Sequence, residues 1–297
     1  MIYNREFDLP LLTSKFLKYL TRCNYSEETI IAYKTDLKVF SQFIYEEYDG
    51  QILFDQLTRN DILDYLTYLK NEKMYALNSV YRHLSTLKSF NRFIVDELNM
   101  LENVAAKVKH QKVYTPLPPI LSVEEVQALL ATAKEYSFYF YVLFSLLYYT
   151  GSRITAACKL EKKDINLKEK TIYFRKVKGG KDLYLPIHDK LCVILEEFLE
   201  NHPAKPYPFV FHSPTNPSMH LDPQLARKHI KVIAEQAGIE KRVNPHLLRH
   251  CLATHLTLAG VDQKFISEVL GQDDPRSTAR YQQLKVDELS IKINLIP

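Results

Sequence analysis

Several features are missing from this chain of 297 residues, and each absence closes a class of function. The longest apolar stretches, such as Phe138 to Tyr149, run about a dozen residues and fall short of the roughly 20 that a membrane-spanning helix needs. The opening residues Met1 to Asp8 carry no basic segment followed by an apolar core and a small-residue cleavage site, so a cytoplasmic protein is expected. Four cysteines, Cys23, Cys158, Cys192 and Cys251, stand far apart with no C-x-x-C pair, which disfavours a disulfide framework and a thiolate metal site. They are expected to be buried small apolar residues. No internal repeat, low-complexity tract or carboxylate cluster is visible. With 46% hydrophobic and 25% charged residues, the composition excludes disordered and collagen-like chains.

What is present points to two domains, the default for a chain longer than a single core usually supports. The net charge of +4 is unevenly spread: residues 1–110 carry 14 basic and 15 acidic side chains, leaving 25 basic and 20 acidic in 111–297. A modest positive balance permits a polyanionic partner without demonstrating one. Over the first hundred residues apolar positions recur at three and four, as in Leu12, Phe16 and Leu20, then Tyr33, Leu37, Phe40 and Ile44. Ser26 before Glu27 and Glu28 fixes a helix start. Thr58 to Asp61 and Asn78 precede two further periodic runs, so a four-helix bundle over 1–102 is expected. Between 103 and 120 the periodicity fails, and Lys107, Lys109, Lys112, Pro116, Pro118 and Pro119 make a basic, proline-stiffened linker. Its lysines suit solvent and would equally suit a segment crossing nucleic acid. A third region, 121–297, opens with the capping box Ser122 and Glu125. It continues through the apolar Phe138–Tyr149 segment, read as a buried core helix. Asp164 to Lys168 reads as a turn, and Thr171–Phe174 and Leu183–Pro186 as strands of a hairpin with the basic tip Val177-Lys178-Gly179-Gly180-Lys181. The remainder is read as helical again, broken by a proline-rich loop over 203–223. Mainly α with a small β-sheet is the fold class.

The densest run of chemistry-bearing residues is Asn244-Pro245-His246-Leu247-Leu248-Arg249-His250-Cys251-Leu252-Ala253-Thr254-His255-Leu256. Pro245 suits the first turn of a helix, which would bring His246, Arg249 and His250 near one face. A metal site through His246 and His250 lacks a third ligand at suitable spacing. Leu270-Gly271-Gln272 follows, with Tyr281 nine residues beyond Gln272. These motifs resemble the tyrosine recombinases of the phage-integrase family, nearest in layout to the Xer type. That family carries a Pro-His-x-Leu-Arg-His block, a Leu-Gly-His and a tyrosine nine residues on. Thr150-Gly151-Ser152-Arg153 is similar to its Thr-Gly-x-Arg segment, and the 177–181 hairpin to its Gly-Lys-Gly-x-Lys turn. In the first domain, Ser26, Thr29, Tyr33, Asp36, Leu37 and Phe40, then Arg82, Leu84, Ser85, Leu87, Phe90 and Phe93, resemble the family's DNA-clamping bundle. The resemblance implies an N-terminal helical core-DNA-binding domain and a C-terminal α+β catalytic domain.

It also implies a site-specific recombinase, free of metal and cofactor, that cuts and rejoins double-stranded DNA through a 3′-phosphotyrosyl bond. Tyr281 would be the nucleophile, and an aryl oxygen can hold the phosphodiester's energy in a reversible covalent intermediate. Arg153 and Arg249 would clamp the phosphate with planar donors. Lys178 would protonate the leaving 5′ oxygen, with Lys181 as its rival, and His246 would assist Tyr281. His250 would support the site from behind. Gln272 stands where the family has histidine or tryptophan; an amide donates a hydrogen bond but transfers no proton near pH 7. Ala156 replaces a glutamate common after the arginine. The resemblance further implies a homotetramer on two DNA sites, alone or with a second recombinase, in the nucleoid. An apolar tail, Val286 to Pro297, suits docking on a neighbouring subunit or packing on its own domain. Further DNA contacts are expected at Arg82, Lys88, the linker lysines Lys107, Lys109 and Lys112, Arg175, Lys176 and Arg227. Two alternatives differ in class: a recombinase-fold DNA-binding regulator, weak or inactive in cleavage, which Gln272 favours, and a metal-dependent nuclease, which lacks identifiable carboxylates. Chromosome or plasmid dimer resolution and mobile-element integration or excision are equally open.

Overall fold

Side-chain caps set where the helices of the N-terminal unit begin. Asp8 accepts from the Leu11 amide at the head of α1 (Leu9–Arg22), and Ser26 accepts from the Thr29 amide at the head of α2 (Glu27–Glu47). Thr58 and Asp61 form a reciprocal capping box on α3 (Arg59–Asn71), and α4 (Leu77–Leu98) completes the set. The periodic faces of these helices close on one core, where Leu12, Phe16, Leu37, Phe40, Ile62, Tyr65, Leu84, Leu87 and Phe90 are all buried. Phe16 packs against Phe90 and Phe93 with ring centroids 5.4 and 5.3 Å apart, in tilted geometry. In the computed structural model the described residues are 8–49, 54–98, 103–109, 119–177, 181–202, 204–271 and 293–295. They fall into two units, Met1–Thr115 and Pro116–Pro297. The start of the expected linker is folded: a single 3-10 turn at Val104–Lys107 buries Ala105 and Val108 in the first core. Two small apolar residues three apart are enough to seat one turn.

The second unit is organised around α6 (Phe138–Thr150), which follows α5 (Val123–Tyr136) and its Ser122–Glu125 capping box. Every residue of α6 from Val142 to Thr150 is buried, which is why its sequence is apolar on all sides. It packs against α5, α8 (Asp189–Glu200) and α10 (Pro245–Leu258). A short α7 (Ile154–Cys158) leads to an antiparallel sheet ordered β1 (Ile165–Asn166), β2 (Thr171–Val177) and β3 (Lys181–Pro186). Segment 164–168 is therefore more than a turn, because Ile165 pairs with Ile172 and Asn166 with Thr171. Helices α9 (Pro223–Gln236) and α11 (Gln263–Val269) complete the described α-helices. Of the cysteines, Cys158 and Cys251 are buried as expected and Cys192 partly so, whereas Cys23 is exposed just beyond α1. In the tail, Ile293 is buried in its own unit's core, and Asn294 accepts from the Asp189 amide at 3.0 Å. Leu295 stays exposed. Among the described residues no helix is long and apolar enough to cross a membrane.

Candidate active site

Two chain turns build the site from opposite sides. At the end of α6, Gly151 adopts φ +60°, a left-handed conformation in which a side chain is strained. A Cβ there would lie 2.7 Å from Leu270 Cδ2 and 2.8 Å from Leu252 Cδ2, so glycine also permits close approach of α10 and α11. Thr150 Oγ1 braces the turn, accepting from the Ser152 amide at 3.2 Å and lying 2.9 Å from Ser152 Oγ. Half-buried Arg153 then stands at the N-cap position of α7, its side chain making no capping hydrogen bond. From the other side, Asn244 caps α10 by accepting from the amides of His246 and Leu247 at 2.9 and 3.1 Å, with Pro245 in the first turn. The helix places His246 in its first turn and Arg249 three residues on.

Arg249 is 4% exposed, and its guanidinium joins the end of α6 to the end of α11: Nη1 donates to the Gly151 carbonyl at 2.7 Å and Nη2 to the Leu270 carbonyl at 2.6 Å. Those bonds fix the plane of the group before any ligand arrives. Burial, with Arg153 nearby, pushes its pKa down to about 10, so it remains a cation at neutral pH. Partial burial first, then the charges of His250, Arg249 and Arg153, holds His246 below the ordinary imidazole value. The rings of His246 and His250 meet edge to face with centroids 4.6 Å apart, so exposed His250 reaches the site through His246. Deeper in α10, His255 bridges Tyr148 Oη at 2.8 Å and the Leu121 carbonyl at 3.0 Å. This buried imidazole ties α10 to α6 and to the start of the unit.

A cleft of about 830 Å³ opens beside Arg153 and His246. Arg227, expected as a DNA contact, lines it, together with Lys228, Lys231 and Arg242, which sequence reasoning passed over. The first three lie on α9 at spacings that share one helical face, a signal readable in the sequence. A surface of this kind attracts polyanions. The other expected contacts differ. Arg175 is paired with buried Asp164 and lies 5.8 Å over the Tyr173 ring, and Arg82 is paired with buried Asp36. Half-buried Lys88 lies on α4, while Lys107 and Lys109 are exposed. Lys112, Lys178, Gln272 and Tyr281, and the side chains of Lys176 and Lys181, lie outside the described residues. Their flanks are placed: Val177 pairs with Lys181 across the hairpin. Gly271, at φ +55°, sits against Leu183 of β3 immediately before Gln272. Ala156 packs half-buried against the core.

Comparison with known proteins agrees with this geometry. Residues 119–288 match the Phage integrase family, and residues 14–98 match the Phage integrase N-terminal SAM-like domain. The chain is 32% identical over 290 residues to the tyrosine recombinase XerC of Halalkalibacterium halodurans, covering 93% of each. It is 30% identical over 290 residues to XerD of Staphylococcus saprophyticus, covering 95% of this chain and 96% of that one. Among solved structures, the XerH site-specific recombinase bound to its difH substrate superposes with TM-score 0.73 at 18% identity, over 97% of both chains. A lambda integrase dimer bound to a core site gives 0.72, covering 94% of this chain and 77% of that one, again at 18%. The fold, the helix-borne Arg-His block and both matched segments agree: the chain belongs to the phage integrase family of tyrosine recombinases.

Proposed function

We propose that this protein is a site-specific recombinase that exchanges DNA strands through a 3′-phosphotyrosyl intermediate, without a metal ion. One observation carries the reading: the buried guanidinium of Arg249 is held by two backbone carbonyls beside Arg153 and His246, at the edge of a basic cleft. Fixed cations aimed at a phosphate stabilise the charge that gathers on its non-bridging oxygens, and losing one such donor costs on the order of 3 kcal/mol. In this reading the Tyr281 oxygen bonds phosphorus as the bond to the 5′ oxygen breaks. His246 takes the phenol proton and Lys178 supplies one to the leaving oxygen. A 5′-hydroxyl from a partner strand then attacks the phosphotyrosyl and releases Tyr281. Gln272 donates a hydrogen bond to the phosphate. Residues 1–102 clamp the duplex, 103–120 connect and 121–297 cut, while Arg82, Lys88, Arg175, Lys176, Arg227 and the linker lysines contact DNA. The working assembly is a homotetramer on two sites in the cytoplasm, as the lambda integrase tetramer on a Holliday junction suggests by likeness of fold.

The test uses a nicked duplex carrying a site recovered by in vitro binding selection, in excess chelator, quenched with detergent. A covalent protein–DNA species is expected with the parent protein and absent with Tyr281→Phe. Stable binding that never becomes covalent would favour the regulatory reading, for which the glutamine at 272 is the specific observation.

A further inference from the structure

The N-terminal bundle contains a buried polar network that its packing does not require. Asp36, on α2, is 2% exposed and receives three groups from α4: Arg82 Nη1, Thr86 Oγ1 at 2.8 Å and His83 Nε2 at 3.3 Å. His83, also 2% exposed, meets Tyr65 Oη of α3 through Nδ1 at 2.8 Å. A neutral ring carrying its proton on Nε2 satisfies both neighbours, and burial holds the imidazole below its ordinary value against the pull of Asp36. Burying a carboxylate is costly unless it is paired, and an apolar quartet would fill the same space without that cost. One member alone reaches solvent: the Arg82 side chain is 49% exposed while its Asp36 partner is 1% exposed.

Arg82 sits on a stripe of distinct chemistry. Arg82, Ser85, Ser89 and Arg92 follow each other at spacings of three and four on α4, exposed or half-buried, with Lys88 beside them. Residues 77–95 contain no aspartate or glutamate. The stripe is thus basic and hydroxyl-bearing throughout, the composition of a surface that contacts a phosphate backbone. A free arginine loses rotamer freedom on meeting a phosphate, whereas one already tethered by a rigid carboxylate has lost most of it beforehand.

We infer that Asp36 is a positioning residue that holds Arg82 ready for a single phosphate of duplex DNA, on the acid-free face of α4. The inference rests on the DNA-binding reading above and adds the residue through which the first unit orders its cation. It makes a prediction opposite in sign to simple charge counting. Replacing Asp36 by asparagine removes a negative charge beside Arg82, which by electrostatics alone would tighten DNA binding; loss of the tether weakens it.

The measurement is fluorescence anisotropy with a labelled duplex recovered by binding selection, titrated with salt, on the full chain. Arg82→Gln is expected to weaken binding about eightfold at 0.1 M salt and to reduce the slope of log K against log salt by about 0.9. Asp36→Asn is expected to weaken binding about two- to eightfold, the cost of ordering one long side chain, and to add nothing to Arg82→Gln. A general loosening of the bundle would weaken binding equally in both backgrounds, and that additive result overturns the inference, as does tighter or unchanged binding by Asp36→Asn alone. Should Asp36→Asn fail to fold, Arg82→Lys decides. It keeps the charge but not the planar fork, so the salt slope should stay while affinity drops; affinity equal to the parent overturns the inference. If the parent binds no selected duplex, the recombinase reading falls and this inference with it; if the parent binds while Arg82→Gln matches it, only this inference falls.

Discussion

Gly151→Ala isolates how the active site is assembled. The substitution has two separable costs. Holding an L-residue at φ +60° takes roughly 1–2 kcal/mol. The new Cβ would also lie 2.7 Å from Leu270 Cδ2 and 2.8 Å from Leu252 Cδ2, well inside the ordinary contact distance of about 3.5–4.0 Å. Side-chain ends can swing away from a surface, but Leu252 is 0% and Leu270 4% exposed, so both must move within a packed core. Overpacking of that kind costs about 1–3 kcal/mol, bringing the total to about 2–5 kcal/mol. Gly238 supplies the control: it has φ +69° in the same unit, and nothing lies within 4 Å of where its methyl would stand, so Gly238→Ala carries the backbone cost alone. Urea unfolding of both variants side by side, followed by circular dichroism, should separate their midpoints by about 0.3–1.5 M at a slope of roughly 2–3 kcal/mol per molar. Leu270 also supplies a carbonyl to Arg249, so Gly151→Ala should reduce covalent capture of DNA under conditions where both variants remain folded. Equal midpoints would refute the close-packing account, and unimpaired capture would refute the link from that packing to the arginine.

Other outcomes follow from the same geometry. Arg249→Lys keeps a charge but cannot span both carbonyls; covalent complex formation should fall about 10²- to 10³-fold, and a loss smaller than about fivefold would contradict a clamping role. Tyr148→Phe removes the hydroxyl facing His255 Nδ1 and leaves a buried nitrogen without its partner, which should cost about 1–3 kcal/mol in urea unfolding. For His246, a pKa below the ordinary 6.5 means that the unfolded chain binds more protons than the folded one as pH drops through that range. The ring's contribution to stability is therefore present above pH 6.5 and lost on acidification. The initial rate of covalent complex formation should decline on acidification with a midpoint below 6.5, a limb that His246→Gln removes; a midpoint above 6.5 would contradict the assignment.

How much of this was legible in the sequence depends on whether a feature is written in neighbouring residues. Caps are local, and Ser26, Thr58, Ser122 and Pro245 start helices where residue type alone places them. The apolar Phe138–Tyr149 run declared a helix buried on all sides. Strand β1 was not readable, because two residues hold no period and become a strand only by pairing with β2. The fold of residues 204–210 is equally non-local: Lys162 Nζ donates to the carbonyls of Ala204, Lys205 and Tyr207 at 2.8, 3.2 and 2.8 Å, and backbone acceptors leave no mark in a sequence.

The same limit divides the candidate site. Arg153, His246 and Arg249 were visible as residue types in a motif, but what makes Arg249 a fixed donor is a pair of carbonyls, at Gly151 and Leu270, that any residue could have supplied. Basic residues outside the motif show the converse. Arg82 and Arg175 stand in the sequence as expected DNA contacts on the same footing as Lys88 or Lys109, among 39 lysines and arginines. Each is paired with a carboxylate that is 95% or more buried, Asp36 at 1% and Asp164 at 5% exposure. A charge count treats such an arginine as equal to exposed Lys109, although the tethered group has already given up the conformational freedom that binding would otherwise remove. The partner that makes the difference lies 46 residues away in one case and 11 in the other, so its effect becomes visible only when the chain is folded.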